Sequence, residues 1–392
     1  MIKTFKIKLL PNNKQIDKMI KYCGASRFAY NWAINKELEV YKKKNEFIFD
    51  NELRKEFTKL KKVEDFFWLN EISNNVTKRA IKDACHNYRK FLKGEAGLPK
   101  YKSKKNNKDG FYQDPMNIKF TKSHVKLEGF TNSKGGVKKN KRIFNWVKLA
   151  EKNIIPTNMK YVNPRITNDG INWYVSIGVE FDNSTPIIEY KNDIGIGIDL
   201  GIKDLAICSN GNVYKNINKT KHVKDIKKKH KRQHKRISRK YLINKDGDKY
   251  IKTKNIKKEE KKLLKLNRKL SNIRLNYLHQ TTSEIVKTKP SFIVIEDLNV
   301  REMMRNKNLS RAIQEQCFYE FRRQLTYKCK WNNTKLIVAD RFFPSSKTCS
   351  CCGNVKKDLK LSDRVYKCEC GNIIDRDYNA SLNLKKYGES IV

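Results

Sequence analysis

The chain has 392 residues, 38% of them hydrophobic and 10% aromatic, which is length and apolar material for two or three domains with buried cores. Lys and Arg number 87 against 41 Asp and Glu, a formal charge of +46. Such a surface repels itself unless a polyanion is near, and nucleic acid fits, because phosphates release counterions to many cations at once. No run approaches the roughly 18 apolar residues of a membrane span. The opening MIKTFKIKLL lacks the apolar core of a signal peptide. The expectation is a cytosolic protein with no membrane partner, and its ten cysteines read as thiols or metal ligands rather than disulfides.

Phe5, Ile7 and Leu9 alternate with Lys6 and Lys8 up to Pro11, which predicts a strand. From Asn13 to about Lys100 apolar residues recur at three and four, the pattern of amphipathic helices. The basic stretch Lys100–Asp109 reads as a loop. From Asn117 to Phe181 the period returns to two between Gly and Asn punctuation, which predicts a small β-barrel or sheet that the first strand joins, with the helical block inserted. Past Asp193, DIGIGIDLGIKDLAICSNG predicts two strands about a glycine turn. Residues 215–240 hold 13 Lys or Arg against the single acid Asp225. After a loop at Asp246-Gly247-Asp248, residues 255–288 read as one long helix with Leu263, Leu266, Leu270, Ile273 and Tyr277 on one stripe. The two segments form a pair of antiparallel basic helices. FIVIE at 292–296 and residues 335–339 read as strands, and Ile313, Cys317, Phe321 and Leu325 mark a helix between them.

Cys349-x-x-Cys352 and Cys368-x-Cys370, 15 residues apart, have the spacing of two knuckles around one tetrahedral Zn²⁺. Gly353 and Gly371 follow the second Cys of each pair, where a residue without Cβ lets the backbone curl back. Cys351 is not expected to be a ligand. Cys23, Cys85, Cys208, Cys317 and Cys329 sit in apolar contexts as small buried hydrophobes.

Asp199 closes the strand IGIGID and Glu296 closes FIVIE. A carboxylate at the end of a buried strand requires a partner or a cation. Two on neighbouring strands offer the hard oxygen ligands that Mg²⁺ takes. In DRDYNASLNL, Asp375 suits a helix N-cap, whereas Asp377 shares a face with Ala380 and Leu384 and is the inward carboxylate. Lys227, Lys228, Lys229, Lys231 and Arg232 are the densest candidates for gripping phosphates. Tyr101, Phe111 and Tyr112, set among lysines, are either stacking platforms or core.

GIDLGIKDLAICSNG, FIVIEDLNV, RFFPSSKTCSCCG and YKCECGNIIDRDYNASLNL closely resemble the TnpB family of transposon-encoded, RNA-guided DNA nucleases, relatives of the type V CRISPR effectors; FKIKLLPNNKQ and GASRFAYNWAI resemble its start. The resemblance implies an α+β multidomain chain. An RNase H-like (RuvC) α/β nuclease over 191–344 and 373–392 would carry an inserted zinc ribbon at 345–372. A β-barrel-like wedge at 1–12 and 111–190 would carry an inserted helical recognition lobe at 13–110. It implies Asp199, Glu296 and Asp377 as catalytic acids on two Mg²⁺ ions (or Mn²⁺) about 4 Å apart. It implies one structural Zn²⁺ on Cys349, Cys352, Cys368 and Cys370. The partners would be a guide RNA and a target DNA with a short flanking motif, in the nucleoid of a prokaryotic cell. The alternatives are a compact type V CRISPR effector and a protein-only DNA-binding transposon accessory that does not cut. The Cys-x-Cys knuckle, Cys351 and a polar insert at 246–254 depart from the family pattern.

Overall fold

The computed structural model describes residues 2–44, 46–104, 109–130, 145–181, 194–360 and 363–392. It divides into two compact units, Met1–Ser184 and Thr185–Val392. In the first, strand β1 (Ile2–Leu10) buries Ile7 and Leu9 and turns its lysines outward, as the alternation predicts. Helices α1 (Asn13–Lys44), α2 (Asp50–Leu60) and α3 (Asn74–Leu92) follow, with a 3-10 segment, Glu64–Glu71, before α3. Ala25, Ala29 and Ala33 of α1 and Ala80 and Ala84 of α3 are buried in one core, and side chains this small let two helix backbones approach closely. The helical run stops at Leu92, short of Lys100. Gly94 takes φ 71°, a left-handed residue that ends a helix, and its N–H donates to the Phe91 carbonyl at 2.9 Å. Residues 105–108 of the predicted basic loop lie outside the described residues.

Six strands follow: β2 (Asp109–Tyr112), β3 (Lys119–Phe120), β4 (His124–Lys126), β5 (Trp146–Leu149), β6 (Tyr161–Asn168) and β7 (Trp173–Glu180). With β1 they form a sheet in the order β2-β6-β7-β1-β5-β4-β3. β1 lies between β7 and β5, with Ile7 opposite Val175 and Leu9 opposite Leu149. The first strand therefore does join the later strands around the helical block. The barrel expectation is corrected: among the described residues the sheet is open, with β2 and β3 at its edges. β3 and β4 have two and three residues, too few to carry a tilted sheet round onto its far edge.

The second unit begins with β8 (Ile196–Leu200), β9 (Asp204–Cys208) and β10 (Val213–Lys215). A long hairpin follows: α4 (Lys221–Ile243), the short strands β11 (Lys245–Asp246) and β12 (Lys249–Tyr250), and α5 (Lys254–Lys287). Then come β13 (Phe292–Glu296), α6 (Val300–Met303), α7 (Ser310–Gln316), α8 (Phe318–Trp331), β14 (Lys335–Ala339), β15 (Val365–Lys367), β16 (Ile373–Asp375) and α9 (Arg376–Glu389). The sheet order is β10-β9-β8-β13-β14, with β8, β13 and β14 parallel and β9 and β10 antiparallel. Phe321, Leu325 and Cys329 of α8 pack with Ile293 and Ile295 on one face. Leu384 of α9 packs with Phe292, Val294 and Ile337 on the other. Covering both faces explains why the parallel strands read as unbroken apolar runs. The helix expected through Cys317 is in fact two, because Cys317 adopts φ 56° between α7 and α8.

Glycines on both sides let α9 lie close on the sheet: Gly197 of β8, and Gly388 of α9, where a Cβ would meet Phe292 and Val294. A Cβ at Gly197, the second residue of β8, would collide with the Ser381 carbonyl oxygen and the Lys385 nitrogen, both backbone atoms of α9. Helix and strand therefore touch main chain to main chain, one turn beyond the first turn of α9, where Asp377 sits.

Candidate metal centres and nucleic-acid interface

In the parallel register Val294 faces Gly197 and Ile295 faces Ile198. The next residues along, Glu296 and Asp199, therefore lie side by side; Glu296 is the last residue of β13, whereas β8 runs one residue past Asp199, to Leu200. Parallel neighbours in register point to one face. Helix α9 brings Asp377 to the same place. The Asp375 carboxylate accepts from the backbone N–H groups of Asp377 and Tyr378 at 3.0 and 3.1 Å, the N-cap geometry anticipated from the sequence. Capping fixes the first turn and leaves Asp377 to face inward.

Electrostatics ties the three acids together. The Asp199 carboxyl is held well above the ordinary carboxylate range, first by burial and then by the negative charges of Glu296 and Asp377, with Arg376 opposing. Glu296 is also pushed up, by burial and by Asp377, against the hydrogen bond it accepts from Ser345. Arg376 donates from Nε and Nη2 to Asp377 Oδ1 at 3.1 and 3.0 Å. A guanidinium is thus already drawn to the cluster, though one positive charge cannot balance three negative ones. The donor set is hard, anionic and under-compensated, and it suits a divalent ion. Asp297 has another role: Arg322 and Arg341 hold it at 2.7 and 2.6 Å and keep its carboxyl below the usual range.

The four predicted thiols do converge. Their sulfurs all lie within 4.8 Å of one another, with Cys349–Cys370 at 3.7 Å and Cys352–Cys368 at 3.6 Å. Zn–S bonds of about 2.3 Å in a tetrahedron put sulfurs about 3.8 Å apart, so the site fits zinc. Gly353 and Gly371 have φ of 79° and 86°, as their position after each knuckle requires. The shorter knuckle closes on a tighter turn. Gly353 N–H reaches the Cys349 carbonyl four residues back, whereas Gly371 N–H reaches Cys368 three back, both at 3.0 Å. Cys351 is exposed and outside the group. The carboxylates are spaced more widely: among the described residues, the four thiols alone form a group of potential ligands this tight.

The basic hairpin refines the predicted phosphate-gripping set. Lys228, Lys229, Lys231 and Arg232 are exposed. Lys227 instead turns inward onto Glu315, Nζ to Oε2 at 2.5 Å. A cleft of about 460 Å³ runs between the helices, lined by Lys229, Arg232 and Arg236 of α4 and Lys262, Lys265 and Lys269 of α5. The α5 lysines were missed because Glu259 and Glu260 interrupt the charge run of α5 and its apolar stripe drew the reading. The signal was present in the stripe: Leu266 and Ile273 pack with Val223 and Ile226, which fixes the face that α5 turns to its neighbour. Of the candidate stacking rings, Phe111 is core, edge-on to Tyr22, Tyr112 lies under the Arg79 guanidinium, and Tyr101 is 52% exposed.

Three family models match the chain: "Helix-turn-helix domain" over residues 1–46, "Probable transposase" over 176–307 and "Cas12f1-like, TNB domain" over 318–384. The first covers a strand and one continuous helix here. A protein of Escherichia coli K12, provisionally named RNA-guided DNA endonuclease InsQ, is 26% identical over 100% of this chain and 93% of its own. TnpB-like protein L79 of Acanthamoeba polyphaga mimivirus is 32% identical over 145 residues, 35% of this chain and 27% of its own. The fold is similar to that of a chain in the cryo-EM structure of a Cas12f1–sgRNA–target DNA complex, with a TM-score of 0.62, 14% identity and 98% of each chain covered. No described helix is long and apolar enough to cross a membrane.

Proposed function

This chain belongs to the TnpB family, and on that premise we propose that it is an RNA-guided DNA endonuclease whose Asp199, Glu296 and Asp377 hold the divalent ions of the reaction. The observation that carries the reading is the convergence of three acids from separate elements: the parallel register of β8 and β13 sets Asp199 beside Glu296, and Asp377 in the first turn of α9 is near enough for its charge to push both carboxyls up. Three acids from β8, β13 and α9 are gathered where they repel one another, which destabilises the fold unless cations enter. Mg²⁺ bound there would supply Lewis acidity to the attacked phosphodiester and to the attacking water. Asp199 and Glu296, on adjacent strand ends, would fix the spacing of the ions. Asp377, held by its capped turn, would close the site from the helix side. The sheet, with helices on both faces, supports an RNase H-like nuclease over 191–344 and 373–392 with a zinc ribbon at 345–372. The pairing of β1 with β5 and β7 supports a wedge at 1–12 and 111–190 around a recognition lobe at 13–110.

The cleft between α4 and α5 would follow a phosphate backbone, because it presents cations from two helices along one line and no base-reading pattern. Sequence choice would rest with a bound RNA and with a short motif beside the target. Sequencing the RNA that copurifies with the protein, then replacing its guide portion, tests this. Cleavage in Mg²⁺ should move to the new matched sequence. Cleavage of one fixed site by RNA-free protein would overturn the reading and favour a protein-only nuclease.

A further inference from the structure

We propose that Ser345 is a positioning residue for Glu296, and that residues 345–350 make the thiol centre part of the scaffold that aims this acid. The inference rests on the reading of Glu296 as a metal-binding carboxylate. Ser345 is 4% exposed, and its hydroxyl donates to Glu296 Oε1 at 2.5 Å, the short range of a hydroxyl on a carboxylate. Glu296 is the last residue of β13. A glutamate has three side-chain torsions, and the strand restrains none beyond the first. The hydroxyl holds one oxygen and so restrains the carboxylate, and the other oxygen is not engaged by Ser345.

Ser345 is itself held from α9. Asn383, 3% exposed, donates both amide hydrogens, one to the Ser345 carbonyl at 2.8 Å and one to the Thr348 carbonyl at 2.6 Å. Asn379, fully buried, donates to the same Thr348 carbonyl at 2.7 Å and accepts from Ser350 N–H at 2.9 Å. The two asparagines are four apart, one above the other on the helix, and Asp377 lies two residues before the first. Thr348 and Ser350 flank Cys349, the buried member of the thiol group. Both peptides around one candidate zinc ligand are thus pinned to the helix that carries Asp377, and the same segment ends on Glu296.

A ribbon merely glued to the nuclease would need only the backbone contacts. The Ser345 hydroxyl contributes nothing to such glue, because its partner is the acid. The test compares Ser345→Ala with Ser345→Thr, which keeps the hydroxyl, and with Glu296→Gln, all in the RNA-loaded protein. Mn²⁺ binding is followed by electron paramagnetic resonance, and single-turnover cleavage is followed against metal concentration. Ser345→Ala should weaken Mn²⁺ binding about 10-fold or more, the usual effect of losing a hydrogen bond to a ligand. Its cleavage should recover at high Mn²⁺, with zinc content and DNA binding unchanged, and Ser345→Thr should restore metal affinity. Asn383→Ala should show the same metal defect by freeing the segment. If Ser345→Ala keeps wild-type Mn²⁺ affinity while Glu296→Gln loses it, the positioning role is wrong and the acid assignment stands. If Glu296→Gln also keeps wild-type affinity, the acid assignment itself fails.

Discussion

The second unit holds two candidate ligand groups that both meet helix α9, and they are built on opposite plans. The thiol group is local: two knuckles within about twenty residues of chain, sulfurs already at tetrahedral separation. The acid group is assembled from three elements far apart in sequence and stands under mutual repulsion. The first is a candidate clasp, in which a bound Zn²⁺ would hold a small fold together. The second is a candidate cation site, in which bound ions would relieve the mutual repulsion of the acids. On the proposed reading the difference explains why a protein can keep both: one would fix geometry and the other exploit it, and Asn379 and Asn383 of α9 hold the segment that joins them.

The largest effect should come from the acids. Asp199→Asn, Glu296→Gln and Asp377→Asn should each lower the single-turnover cleavage rate by about 10³-fold or more, since several kcal/mol of transition-state stabilisation pass through the ions. Filter binding of guide-matched DNA should stay within about twofold. If one of the three cuts at the wild-type rate, that residue leaves the site.

Breaking the clasp should come next. Cys352→Ser should remove the single zinc measured by mass spectrometry and unfold the ribbon locally, seen as protease cleavage between residues 345 and 372. Cys351→Ser should keep its zinc. Loss of zinc in Cys351→Ser would show that the wrong cysteines have been grouped.

The bond between the two centres can be strained without touching either. Gly197→Ala drives a methyl into the backbone of α9 and should cost about 1–3 kcal/mol, the usual range for overpacking, read as a shift in the urea midpoint. Cleavage should fall with it, because Asp377 moves. Unchanged stability would mean that helix and strand do not meet at Gly197.

A smaller effect is expected at the cleft. Replacing Lys229, Arg232, Lys265 and Lys269 together by Gln should weaken DNA or RNA of any sequence by about tenfold. It should also flatten the dependence of log K on log salt by about 0.9 for each phosphate no longer neutralised. Lys227→Gln should leave that slope unchanged, since Lys227 is engaged with Glu315.

How much of this was legible follows from range. The zinc knuckles needed only spacing and two glycines. β1, α5 and the strands ending in Asp199 and Glu296 were carried by periodicity. Asp377 could be preferred over Asp375 because capping and helical phase are local rules. The split at Cys317 was hidden, because α7 and α8 continue one apolar rhythm across a left-handed residue. The open sheet was hidden because strand count does not fix closure. Lys227 read as one more surface cation because Glu315, its partner, lies 88 residues away. The grip of Ser345 on Glu296, like that of Asn383 on the ribbon, is a tertiary fact with no periodic signature.

We propose that the three acids form a cation site whose charges oppose folding until it is filled. In the metal-free fold the raised Asp199 carboxyl means that stability falls as pH climbs from the unfolded value near 4 through the raised one. That penalty grows with pH in the wild type and is absent from Asp199→Asn. Thermal unfolding of both proteins near pH 8, with and without Mg²⁺, is the most direct measurement. Without the metal, Asp199→Asn should melt a few degrees above the wild type. With Mg²⁺ the wild type should rise and the variant should not, so that the order closes or reverses. A wild type more stable than the variant without metal, and indifferent to Mg²⁺, would contradict the claim.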